Sequence, residues 1–194
     1  AQLGQLMVPM LLGMTERGPD SAGMAVFGAV VDAAHRKISL YSGLMEHGNH
    51  FDWAGLADAL NDAMGGKSSV QPSGNHAVLT TGLDPAAVRH WLKERYPKLH
   101  ILSTGRAIDL YKDIGTPAQV ASRYNFSSLT GSHLVGHTRM ATESAVTPDR
   151  AHPFTAGEDF CLVHNGSLSN PYGVRRMLEP HGIHFDTDND TEAA

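Results

Sequence analysis

The sequence predicts a mixed fold in which helices and strands interleave, and not a doubly wound parallel sheet. Three observations carry this. Apolar runs of strand length alternate with amphipathic stretches at helical spacing. Helix-start signals stand before several of those stretches, at Asp52, Asp84-Pro85 and Thr116-Pro117. The connections are irregular in length, unlike the even crossovers of repeated βαβ units.

In chain order, Leu3, Leu6, Met7, Met10, Leu11 and Met14 recur at helical spacing, so the sequence opens inside an amphipathic helix. Its first residues lack the basic region and apolar block of a signal peptide. Residues 17–23 read as a turn, 24–31 as a buried strand and 37–42 as that strand's partner. Asp52 caps a helix carrying Trp53, Leu56 and Leu60, which Gly65 and Gly66 end. A Ser/Gly/Pro-rich loop runs to Gly74, and 76–81 is a strand. Asp84-Pro85 opens a helix through Tyr96, since Asp caps and Pro suits the first turn. Residues 99–111 are strands broken at Gly105, and Thr116-Pro117 starts a short helix. Strands near 133–138 and 159–164 precede a helix from about 171 to 178. The sequence stops after an acidic stretch without a closing element, so both ends are expected to be cut.

Composition bounds the function. The 194 residues suffice for one domain, and 41% hydrophobic with 18% charged residues fits a folded chain. A net charge of −5 and no Lys/Arg run argue against a nucleic-acid face. No apolar stretch is long enough to span a bilayer. A single cysteine, Cys161, precludes an internal disulfide and points to the reducing cytoplasm.

Three polar, glycine-punctuated segments follow apolar elements, where a rigid scaffold aims a loop. The first is 17–23 (RGPDSAG), which alone is a weak signal and reads first as a surface turn. The second is 136–142 (GHTRMAT), leading to 151–154 (AHPF). Arg139 beside Thr138 and Thr142 suits a carboxylate, because a guanidinium grips both oxygens at once. A structural pairing with Glu143 or Asp149 is the alternative. The third is 164–170 (HNGSLSN). Asn-Gly after a strand can present a side-chain amide and a backbone N–H to one point, as an oxyanion hole needs, or it can be a plain turn. Asp186, Asp188 and Asp190 can hold a cationic amine or cap a helix. The 12 histidines show no HExxH pair, and His181 with His184 lacks a third ligand, so no metal is expected. Cys161, on an apolar strand, reads as a core residue.

Together, RGPDSAG, GHTRMAT, AHPF, HNGSLSN and DNDTE (188–192) resemble the class II glutamine amidotransferases, whose glutaminase domain is an N-terminal-nucleophile hydrolase. The segments occur in the family's order and cover nearly the whole chain. The run from 136 to 192 is most similar to the branch near glutamate synthase. That branch includes GlxB-type proteins and the glutaminase-like subunit of N-methylglutamate synthase.

The resemblance implies an α+β, four-layer αββα fold, truncated at both ends, with one type 2 amidotransferase domain over 1–194 and a family-specific insertion at about 44–131. It implies hydrolysis of L-glutamine to glutamate and ammonia, with an N-terminal cysteine as nucleophile and its own α-amino group as base. That cysteine would lie upstream of Ala1 and is absent. Asn165 and Gly166 match the oxyanion hole. Arg139 matches the residue for the substrate α-carboxylate and Asp190 that for its α-ammonium. Thr142 and His152 match pocket positions. Arg17, Asp20 and Gly23 match support of the nucleophile loop. Met140 replaces a tryptophan found in several relatives. The implied partners are L-glutamine and synthase subunits related to glutamate synthase, including a flavin-binding one. No cofactor is implied for this chain, nor nucleic acid or membrane. The alternative is a non-catalytic subunit that binds glutamine or glutamate, or serves assembly of an N-methylglutamate synthase-like complex. The long segment between Gly43 and Gly131, with apolar helices around Trp53 and Trp91, is a candidate docking surface, with core packing as the alternative for the two tryptophans.

Overall fold

A computed structural model describes residues 2–43, 51–140 and 147–194. Six helices and nine strands are described: α1 (Leu3–Gly13), β1 (Ser21–Phe27), β2 (Arg36–Tyr41), α2 (Trp53–Met64), β3 (Ser69–Ser73), β4 (His76–Thr81), α3 (Pro85–Arg95), β5 (His100–Gly105), β6 (Ile108–Ile114), α4 (Pro117–Arg123), β7 (His133–Arg139), β8 (Phe154–Thr155), β9 (Cys161–Leu162), α5 (Pro171–Leu178) and α6 (Asp190–Ala193). The expected caps are present. The Asp52, Asp84 and Asn170 carboxylate or amide oxygens accept backbone N–H groups at the starts of α2, α3 and α5. Thr116 and Gln119 form a reciprocal capping box on α4.

Two antiparallel sheets are stacked. Sheet 1 has the order β6-β1-β7 and sheet 2 the order β3-β4-β2-β5; β8 and β9 make a two-stranded ribbon. Alternation along each strand assigns its faces. On β1, Ala22 and Met24 pack outward with Leu11, Val120, Tyr124 and Phe126, beneath α1 and α4. Ala25 and Phe27 point inward to meet Tyr41, Leu102, Ile108 and Leu110 between the sheets. On the far side, Ile38, Leu40 and Leu79 pack against Trp53, Leu56, Leu60, Val88 and Leu92 of α2 and α3. The layers are therefore helix, sheet, sheet, helix, the α+β, αββα arrangement. The sheets are also tied by polar contacts. Leu110 N–H donates to Ser39 Oγ (3.0 Å), and Lys112 N–H donates to His76 Nε2 (3.3 Å).

Several elements differ from expectation. The strand expected at 24–31 is Ser21–Phe27, so half of the expected 17–23 turn is strand. It does not pair with β2. It is buried on both faces and takes β6 and β7 as neighbours instead, while β2 lies in the other sheet. The expected loop before Gly74 contains β3, paired with β4. Pro72 hides this strand in the sequence, yet an edge position tolerates the missing N–H. Helix α1 buries Gly4 and Leu11, with Met7 and Val8 packed beside them, while Leu6 and Met10 of the expected apolar stripe are 70% and 66% exposed. Gly4 sets this face, because a Cβ there would stand 1.9 Å from the Phe126 carbonyl oxygen. Trp53 is 7% exposed, donates from Nε1 to the Gly74 carbonyl and shares its cluster with Trp91, so core packing accounts for both tryptophans. Among the described residues no helix is long and apolar enough to cross a membrane.

Candidate functional site

A cleft of about 740 Å³ opens where the ends of α1 and β7 meet the segments after β9 and before α6. Its walls include Met14 and Arg17 behind α1, and His137, Thr138, Arg139 and Met140 on and just after β7. His164, Asn165, Gly166 and Ser167 follow β9, and Asp188, Asn189, Asp190 and Thr191 lie at the start of α6. Arg150, His152 and Tyr172 complete it. Of the expected site residues, Arg17, Arg139, His152, Asn165, Gly166 and Asp190 thus line one cavity. Asp20 and Gly23 do not line it. Thr142 lies outside the described residues, as does Glu143.

Asp20 and Gly23 act from beneath. Asp20 N–H donates to the Arg139 carbonyl (3.1 Å), and its own carbonyl accepts from Gly115 N–H (2.8 Å), fixing the end of β7. Gly23 is a strand residue rather than a loop residue, and it is required by a close approach. A Cβ there would sit 2.0 Å from the His152 carbonyl oxygen and 2.7 Å from Lys112 Cβ.

His152 is 5% exposed; its Nε2 lies 2.8 Å from Thr191 Oγ1, and its ring centroid lies 4.3 Å from that of His137. Burial, then the positive potentials of His137, Lys112 and Arg139, pull its pKa down to about 3. Burial and Arg139 also lower that of His137. Both rings are therefore neutral near pH 7 and serve as shape and hydrogen-bonding groups, while the cleft's cations are Arg17, Arg139 and Arg150.

The anionic side is built by an arginine that sequence reasoning missed and by Glu192 of the quoted 188–192 segment. Arg175 of α5 donates to the Thr187 and Asn189 carbonyls (2.8 and 2.6 Å), its guanidinium 4.5 Å from the Phe185 ring centroid. Glu192 accepts from the backbone N–H of Asp186 and Thr187 (2.7 and 2.8 Å) and from Thr187 Oγ1 (2.6 Å). Asn189, and not an aspartate, caps α6. That leaves the Asp190 carboxylate for the cleft, where Oδ2 accepts from Leu168 N–H (2.7 Å) and lies 4.0 Å from His164 Nδ1. Asp188 pairs with Arg150 (3.0 Å). Cationic and anionic groups thus line the same cavity, which suits a zwitterion such as an amino acid. His137 and His164 fall inside the quoted motifs and were legible there. Arg175 and Lys112 carry no sequence signal beyond a charge on an otherwise patterned element. Cys161 is half-buried against the inter-sheet core and does not line the cleft; burial raises its pKa, as for an inert thiol.

Acid should unfold this arrangement early. His152 and His76 both have folded pKa values near 3, against 6.5 for an unperturbed histidine. As pH falls below about 6.5 the unfolded chain takes up these protons first, so stability is drained until about pH 3. Thermal unfolding followed by circular dichroism should show a melting temperature that declines steadily from pH 7 to pH 4. A flat profile over that range would contradict the neutral, buried assignment.

No family model matches the chain. It is 45% identical over all 194 residues to the glutamine amidotransferase-like protein GlxB of Rhizobium meliloti (strain 1021), covering 62% of that protein. It is 32% identical over 211 aligned positions, 98% of the chain, to a putative glutamine amidotransferase of Methanothermobacter thermautotrophicus, covering 64% of it. A shorter stretch, 35% of the chain, is 45% identical to glutamine–fructose-6-phosphate aminotransferase (isomerizing) of Mycolicibacterium paratuberculosis. The chain is similar to glutamine amidotransferases, and its likeness to a GlxB-type protein runs through its full length. It spans a little under two thirds of the length of these first two relatives.

Proposed function

We propose that residues 1–194 form a single glutamine amidotransferase type 2 domain, with a family-specific insertion at about 44–131, that binds L-glutamine in the cleft. In the parent protein it hydrolyses the side-chain amide to glutamate and ammonia. Arg139 holds the α-carboxylate and Asp190 the α-ammonium, with Thr142 and His152 lining the pocket between them. The Asn165 amide and the Gly166 N–H stabilise the oxyanion, and Arg17, Asp20 and Gly23 support the loop around the nucleophile. A thiol adds to the amide carbon, ammonia leaves, and water cleaves the thioester. We assign that thiol to an N-terminal cysteine outside residues 1–194, since Cys161 is a core residue. No cofactor is needed in this domain. Ammonia passes to a synthase partner related to glutamate synthase, with a flavin-binding subunit, because a tethered acceptor site sees a higher effective concentration than bulk water provides. We place the reaction in the cytoplasm.

The observation that supports this most is the gathering of Arg17, Arg139, His152, Asn165, Gly166 and Asp190, from distant parts of the chain, around one cavity. Ammonia and glutamate release from L-glutamine by the full-length protein is the test. Equal release should be seen there and none from residues 1–194 alone. Binding of L-glutamine by the full-length protein without turnover would favour the second reading, a non-catalytic glutaminase-like subunit. The placement of Cys161 outside the cleft is what keeps that reading in play.

A further inference from the structure

Beneath the cleft lies a buried lysine to which the proposed chemistry gives no part. Lys112 stands on β6 facing the space between the sheets and is 4% exposed. Its ammonium donates to the carbonyls of Asp149 (3.1 Å), Ala151 (2.8 Å) and Pro153 (3.3 Å), and lies 4.4 Å from the centroid of the Phe154 ring. An ammonium has three N–H groups, and here they meet alternate carbonyls of one short stretch with His152 inside it. Without the lysine, buried carbonyls of that stretch would lose their donor, a cost comparable to other lost hydrogen bonds.

The sheet register extends the arrangement. Lys112, Gly23 and His137 are direct neighbours across β6, β1 and β7. Lys112 gathers the carbonyls around His152. Gly23 leaves the gap into which the His152 carbonyl fits. His137 faces the His152 ring. Seated in this way, His152 reaches Thr191, the neighbour of Asp190. Burial lowers the Lys112 pKa to about 8 against the opposing pull of Asp149 and Glu192, so the cation is kept at a cost that an apolar residue of similar length would avoid.

We propose that Lys112 is a positioning residue for the glutamine site. It fixes the 149–153 segment, so that His152 and, through Thr191, Asp190 are held in register with Arg139. This role rests on the reading of the cleft as a glutamine site.

Calorimetric titration of the full-length protein with L-glutamate, which shares the α-carboxylate and α-ammonium and is not turned over, together with amide hydrogen exchange, tests it. Lys112→Met should weaken binding by about tenfold or more, the scale on which residues in one hydrogen-bonded network affect each other. It should also speed exchange over 147–155 while α2 and α3 keep their protection. In a His152→Ala background the same substitution should change affinity by less than about twofold, because the two residues act as one unit. An equal loss in both backgrounds would mean general destabilisation and would overturn the proposal. Binding by Lys112→Met within about twofold of the unsubstituted protein would overturn it as well. If Lys112→Met does not fold, Lys112→Gln keeps an amide donor in place. Its affinity should fall by about threefold or more, and an unchanged affinity counts against the role. An unsubstituted protein that binds neither L-glutamine nor L-glutamate defeats the glutamine reading, and the positioning role with it. Binding that is intact in the unsubstituted protein and undiminished in the variant defeats the positioning role alone.

Discussion

Asn165→Ala in the full-length protein is expected to lower kcat for glutamine hydrolysis by roughly 10²–10³, about 3–4 kcal/mol of barrier, with little change in KM. The negative charge that the amide meets develops on the oxygen only as the tetrahedral intermediate forms. A donor aimed there stabilises the transition state and not the bound substrate. The local structure is suited to this. Asn165 and Gly166 lie between β9, from which two residues separate them, and the capped start of α5, and both line the cleft. A Cβ on Gly166 would meet the His164 ring at 3.0 Å, so a larger residue there needs that ring to give way. Steady-state kinetics separate the possibilities. A change confined to KM would show that Asn165 binds ground-state glutamine and is not an oxyanion donor.

Arg139→Lys should weaken glutamine binding by on the order of 2–5 kcal/mol, the range for disturbing a desolvated charge pair. Lysine keeps the charge and loses the two-pronged geometry that matches a carboxylate. The effect should appear in KM and in the dissociation constant for L-glutamate alike, since both ligands carry the same α-carboxylate. Isothermal titration with L-glutamate gives the second value without turnover. Glutamate binding unchanged by Arg139→Lys would remove Arg139 from the carboxylate role.

Much of the site was legible in the sequence because it lies in short, contiguous segments whose residue types have few other uses. Arg139 at the end of a strand and Asn165-Gly166 after another were found this way, and the cleft joins them. The caps of α2, α3 and α4 were legible for the same reason, being local hydrogen bonds written in neighbouring residues. Strand pairing was not. β1 and β2 are adjacent in sequence, and short connections usually join paired strands, yet β1 is buried on both faces and pairs with β6 and β7. Nothing in a buried run of Ala, Met, Val and Phe states which distant strand will lie beside it. Lys112 was missed because its meaning depends on three carbonyls some 40 residues away. β3 was missed because Pro72 reads as a loop signal until its edge position is known. Helix α1 was recognised, but periodicity could not tell which of two adjacent apolar stripes faces the sheet. Gly4, small enough to let the helix settle on Phe126, decides it.

The pairing of β1 also sets a time order for acquiring the fold. Phe27 meets Ile108 on one side and His133 on the other, whereas the β3–β4 hairpin closes within a few residues. At roughly 5–20 residues per second, β1 leaves the ribosome on the order of 10 s before its second neighbour is made. Until β6 is made neither ladder edge has a native partner in sheet 1, and until β7 is made one edge still lacks one, while the hairpin can already form and sheet 2 can assemble around it. Pairings of such long sequence separation form slowly because the intervening chain must first be ordered. The strand at the centre of sheet 1 is therefore the first of the described strands to be synthesised and among the last to be completed. The vulnerability of this fold to misassembly is concentrated in the stretch that later underlies the cleft.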